Sequence, residues 1–133
     1  MASQNISADS IVIYGKSIGT GIAAYLASRE KCSKLILETP YYSVDALARH
    51  YFPMYPVIPM TKFSFPIHQY LSSLKIPVTI FHGTSDEVVP YQHSVRLKNE
   101  NPFVELITVE KGKHNDLFQF NIYQRKMDLL LRY

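Results

Sequence analysis

Cysteine is almost missing from these 133 residues; Cys32 stands alone. That excludes an internal disulfide and any cysteine-rich metal site. Long apolar runs are missing as well, and none approaches the ~18 residues of a membrane-spanning helix. The stretch from Met1 to Asp9 is polar and has no basic segment followed by an apolar one, so it lacks the pattern of a secretory signal. Cytoplasmic placement is the expectation from these two absences. Charge is sparse, at 19% of residues with a net +3, and the lysines and arginines are scattered. A nucleic-acid footprint is therefore not indicated. No two of the five histidines stand at metal-ligand spacing, so no metal is expected.

What remains is a chain that is 47% hydrophobic, suited to a globular core and poorly suited to disorder. Its length fits one domain. Four apolar runs stand out: Ile11 to Tyr14, Leu35 to Leu37, Val78 to Phe81 and Val104 to Val109. The first three are continuous rather than alternating, as in strands buried on both faces of a parallel sheet. The fourth contains Glu105, which puts one end in water.

Helical patterns lie between them. Ile18 to Ser28 is small and apolar, with Gly19, Gly21, Ala23, Ala24 and Ala27 letting a helix sit close on a sheet. Ser43 can cap a helix from Val44 to about Tyr51, stopped by Pro53. Pro66 and Pro90 can open helices to about Leu74 and Lys98 as first-turn prolines. Asn115 or Asp116 can cap a last helix on which Phe120, Tyr123, Met127 and Leu130 fall near helical spacing. Alternating strands and helices predict an α/β fold: a parallel sheet, strands in sequence order, right-handed crossovers. Residues 1–133 then form one domain, with 39–77 as a cap-like connection. That connection is rich in proline and aromatics, and either lines a binding pocket or covers the sheet. Within it, Pro53 to Pro59 contains a PxxP pattern that most often marks a loop.

The chemistry concentrates after the strands. Gly15-Lys16-Ser17-Ile18-Gly19 fits G-x-S-x-G, directly after one strand and before a helix. A nucleophile elbow needs so sharp a turn there that the flanking residues, Gly15 and Gly19, must be small. The helix N-terminus favours negative charge, and the Ile18 N–H can donate to an oxyanion. A serine nucleophile needs a base and an orienting acid. Phe81-His82-Gly83-Thr84-Ser85-Asp86-Glu87 follows the third strand, and Lys111-Gly112-Lys113-His114-Asn115-Asp116 follows the fourth. Ser17, Asp86 and His114 thus lie in Ser, Asp, His order, beyond the C-terminal ends of parallel strands. Glu87 competes with Asp86 for the acid. His82, closing an apolar strand, reads as a buried, hydrogen-bonded histidine, whereas His50, His68 and His93 show no partner signal.

These three segments resemble the C-terminal half of an α/β-hydrolase, in the branch of small esterases, monoacylglycerol-lipase-like enzymes and acyl-protein thioesterases. The likeness runs over essentially the whole chain from Ser10. It implies Ser17 as nucleophile, His114 as base, Asp86 as its orienter and the Ile18 N–H as one oxyanion donor, with no cofactor and a small acyl ester or thioester as substrate. Members of that family carry further strands before the elbow, and their second oxyanion donor comes from that region. Lacking it costs roughly 3–4 kcal/mol of transition-state stabilisation. A first strand left at a sheet edge is a pairing liability, so self-association or pairing with a missing N-terminal half is expected.

Two other readings exist. One is a non-catalytic hydrolase remnant that binds a partner. The other takes Gly15 to Gly21 as the G-x-x-x-G-x-G of NAD(P)-binding short-chain dehydrogenases, with Glu38 as ribose-binding acid 19 residues after Gly19. Those enzymes use a tyrosine with a lysine four residues on, and none of the ten tyrosines has one. A P-loop fails because Ser10 stands where its first glycine is needed.

Overall fold

The computed structural model describes residues 6–53 and 65–132. Strands β1 (Val12–Lys16), β2 (Lys34–Glu38), β3 (Val78–Gly83) and β4 (Glu105–Val109) form one sheet. All neighbours are parallel, in the order β1-β2-β3-β4. The expected sheet is therefore the observed one, each strand ending within a few residues of its apolar run. The continuous runs in β2 and β3 are buried on both faces, because helices cover both. Leu35 and Leu37 point to one side with Val78 and Ile80, against Ala23, Ala24 and Ala27 of α1 (Gly19–Arg29) and Leu97 of the helix after β3. Ile36 and Phe81 point to the other side with Val109, against Tyr123, Met127 and Leu130 of the last helix. Side chains alternate across a strand, so one apolar run feeds two cores. β1 ends the sheet, and its Tyr14 is 48% exposed.

The α-helices after β2 are α2 (Val44–Tyr51), α3 (Ile67–Ser72), α4 (Gln92–Glu100) and α5 (Asn121–Leu131). Ser43 caps α2 as expected, its hydroxyl accepting from Ala46 N–H. Three helix starts differ from expectation. Pro66 is the residue before α3 rather than its first turn, and α4 begins two residues after Pro90, past a tight turn closed by His93 N–H on the Pro90 carbonyl. α5 begins at Asn121 because the Asp116 carboxylate is taken by Lys113 N–H at 2.7 Å and a 3-10 turn, Leu117–Gln119, intervenes. A side chain already spent on a loop N–H cannot cap a helix.

The described parts of the 39–77 connection act as cover. Tyr41 and Tyr42 are buried. Tyr42 stacks on His68, with ring centroids 4.1 Å apart, and carries the Arg96 guanidinium 3.7 Å from its ring centre. Its hydroxyl donates to Glu100, and its N–H donates to His93 Nδ1 at 2.9 Å. His93, without a partner signal in sequence, thus helps fasten the connection to the body, and His68, equally without one, braces it from within. The PxxP pattern that begins at Pro53 lies largely outside the described residues.

Burial, with lesser contributions from the His82, His50 and Arg96 charges, pushes the His93 imidazole down to about 4. It stays neutral in the fold while an unfolded chain takes up a proton near pH 6.5. Its contribution is therefore full above about pH 6.5 and lost as pH falls toward 4. His93→Asn keeps an acceptor for Tyr42 N–H and cannot titrate. Urea unfolding at a series of pH values should show a flatter stability curve between about pH 6.5 and 4 in this variant.

Candidate active site

β1 delivers its last residue into a turn whose geometry is strained. Ser17 has φ of 53°, a left-handed conformation that a non-glycine residue adopts at a cost. Three hydrogen bonds hold it there: Ser17 N–H donates to the Glu38 carbonyl at 2.9 Å, and its own carbonyl accepts from Thr20 N–H and from the Thr20 hydroxyl. Gly15 makes the turn sterically feasible, since a Cβ there would sit 2.6 Å from Ala23 Cβ and 2.7 Å from the Gly19 carbonyl oxygen. Gly19 differs from expectation, because a Cβ there meets nothing within 4 Å. Only one of the two elbow glycines is sterically obliged. Ile18 precedes the first turn of α1 with its side chain 81% exposed.

The loops after β3 and β4 bring the other two residues in. Gly83 and Gly112 pass in backbone contact, so close that a Cβ on Gly83 would lie 2.1 Å from the Gly112 carbonyl oxygen. Ser85 N–H donates to that same oxygen at 2.9 Å. Lys111, with φ of 62°, turns the chain, and its N–H donates to the Thr84 hydroxyl. The two loops are thereby locked side by side.

In that frame Asp86 has a fully buried carboxylate facing His114 Nδ1 at 3.0 and 3.2 Å. A carboxylate only accepts, so Nδ1 carries the proton and Nε2 is left as an acceptor. Ser17 Oγ stands 2.9 Å from that Nε2 and donates to it. Burial works to raise the Asp86 carboxyl, but donors from His82, His114, Val89 and Val88 outweigh it and hold it at about 2. Asp86 is an anion throughout the neutral range. Glu87, its competitor, is exposed and meets Tyr51 only through its carbonyl. Sequence reasoning placed His82 as a buried histidine and missed its contact with Asp86, 3.3 Å from Nε2 to Oδ2. The four-residue spacing of the two was the available signal.

A cavity of about 290 Å³ opens beside His114, lined by Glu87, Val88, Lys113, Asn115 and Asp116. Glu38, the ribose-binding candidate, is buried, accepts from Tyr14 hydroxyl at 3.1 Å and pairs with Lys16 at 3.3 Å. Burial first, then the Glu38 charge, pushes the Tyr14 phenol up to about 12. Among the described residues no group of histidine, cysteine and carboxylate side chains could hold a metal ion, and no helix is long and apolar enough to cross a membrane.

Comparison with known proteins agrees with this architecture. The chain is 33% identical over 125 residues to α/β hydrolase domain-containing protein 17C of mouse and of human, covering 92% of this chain. It is 33% identical over 129 residues to human α/β hydrolase domain-containing protein 17B. Among solved structures it superposes on acylaminoacyl peptidase from Pyrococcus horikoshii with a TM-score of 0.73 at 15% identity, covering 95% of this chain and 24% of that one. It superposes on an esterase from Pyrococcus furiosus with a TM-score of 0.66 at 21% identity, covering 92% and 54%. The chain has the α/β-hydrolase fold, and the sequence relatives it matches carry that name. It spans 36–41% of the length of the curated relatives it matches. No protein-family profile matches it.

The two elbow glycines should behave differently. Gly15→Ala should destabilise the fold by about 1–3 kcal/mol through overpacking against α1. Gly19→Ala should change stability by less than about 0.5 kcal/mol. Thermal unfolding of both variants checks this, and equal losses would refute the packing argument.

Proposed function

We propose that this chain carries the catalytic triad of a serine hydrolase acting on a carboxylic ester or thioester. The observation behind the reading is the continuous path from the Asp86 carboxylate through His114 to the Ser17 hydroxyl, with steps of 3.0 and 2.9 Å. The relatives' name and the esterase and peptidase neighbours support hydrolysis as the reaction class. Ser17 Oγ attacks the acyl carbon while His114 Nε2 takes its proton. Asp86 fixes the imidazole tautomer and stabilises its positive charge. The Ile18 N–H donates to the oxyanion of the tetrahedral intermediate. His114 then gives the proton to the departing alkoxide or thiolate, leaving an acyl group on Ser17. Water, deprotonated by His114, releases the acid and restores the serine. The outer edge of β1 supports the expected pairing with further strands or with a second copy. Glu38, engaged by Tyr14 and Lys16, weighs against the dinucleotide reading.

A fluorophosphonate probe read by intact mass tests this directly. One adduct should form on the wild-type chain, and Ser17→Ala should give none. His114→Ala should react about 10³-fold slower or worse. A folded chain that takes up no probe would point instead to a non-catalytic remnant.

A further inference from the structure

His82 is fully buried at the end of β3, and the triad as described does not use it. Its Nε2 faces two groups that only accept, the Val89 carbonyl at 2.8 Å and Asp86 Oδ2 at 3.3 Å. Nε2 therefore carries the proton. Nδ1 is then the acceptor for the Ser94 hydroxyl, 2.6 Å away on α4. The Tyr91 ring meets the imidazole edge to face at 5.8 Å. Every ring nitrogen is satisfied with His82 neutral, and α4 fixes the orientation of the ring.

The Asp86 carboxylate shows why that orientation matters. Its Oδ1 takes the Val88 and Val89 N–H groups at 2.9 and 2.8 Å. Those two bonds act as a hinge at one oxygen. Among the described residues, the donors that limit the swing of Oδ2 are His114 on the solvent side and His82 on the core side. His114 must exchange protons during turnover, whereas His82 is sealed in. We propose that His82 is a positioning residue: buttressed by Ser94, it holds Asp86 Oδ2 in the plane that meets His114 Nδ1, and it tunes how strongly that carboxylate supports the imidazolium. This rests on the hydrolase reading above.

The electrostatic surroundings are few. Asp86 faces His82 and His114; His82 faces Asp86 and Tyr91, with His93 of α4 nearby; His114 faces Asp86 and Ser17, with Lys113 and Asp116 on its own loop and Glu87 lining the same cavity. Removing the His82 donor leaves Oδ2 more basic, which strengthens its hold on protonated His114. Removing it also frees the carboxylate to rotate out of line. The first effect moves a pH limb and the second lowers a rate, and loss of packing alone does neither.

The test is the pH dependence of Ser17 phosphonylation by a fluorophosphonate, following rate constant and final amplitude separately. Amplitude counts folded molecules and the rate constant reports the site. His82→Leu should lower the rate constant about 10- to 100-fold in the molecules that react, with the acid limb moved up by about 0.5 pH unit or more. His82→Gln, which offers an amide N–H where Nε2 stood, should recover most of the rate. If His82→Leu does not fold, Ser94→Ala keeps the ring but frees its orientation, and should lower the rate constant several-fold with the limb moved the same way. A reduced amplitude with an unchanged rate constant and limb overturns the proposal, as does a Gln variant no faster than the Leu variant. If the wild-type chain takes up no probe, the hydrolase reading falls first and this inference falls with it.

Discussion

A negative charge with no exposed surface organises this molecule. Asp86 lies beneath the surface beyond the end of β3, where an unmatched carboxylate would cost far more than the fold can supply. It is matched instead by two backbone N–H groups and two imidazoles, drawn from its own turn, from β3 and from the loop after β4. Meeting that demand brings those segments to one point. Much of the local order at this end of the sheet, including the tautomer of His114, follows from keeping one buried anion satisfied.

The sheet makes that convergence possible. Four parallel strands in sequence order put every strand-to-helix turn at the same edge, so residues far apart in the chain become neighbours without any special path. The final approach is governed by glycine. Gly83 and Gly112 allow two loop backbones to touch, and Gly15 allows β1 to press on α1. With side chains at these points the loops would stand apart by an ångström or more, too far for a hydrogen-bonded relay.

Much of this was legible in the sequence because the signals were redundant. Continuous apolar runs in β2 and β3 announced a doubly covered sheet, and three polar motifs after strands announced one site. What escaped notice depended on side chains with two available partners. Asp116 had the composition of a helix cap, yet its carboxylate was taken by Lys113 N–H, so α5 began later. His68 and His93 carried no local pattern, because their partner is Tyr42, in a different segment of the chain. Periodicity and motif spacing report backbone direction, and they say nothing about which of several donors a buried acceptor will find.

Thr39 occupies the place on β2 that Ser17 occupies on β1, one residue past a paired Lys16 and Glu38, and it too adopts a left-handed φ, of 52°. It is β-branched and buried, and its hydroxyl finds no acceptor among the described residues. Two adjacent strands therefore end in the same uphill conformation, one bearing the proposed nucleophile and the other nothing reactive. The tight elbow is thus shared by a pair of neighbouring strand ends, and stored conformational energy at the rim of this sheet extends one strand beyond the residue that uses it.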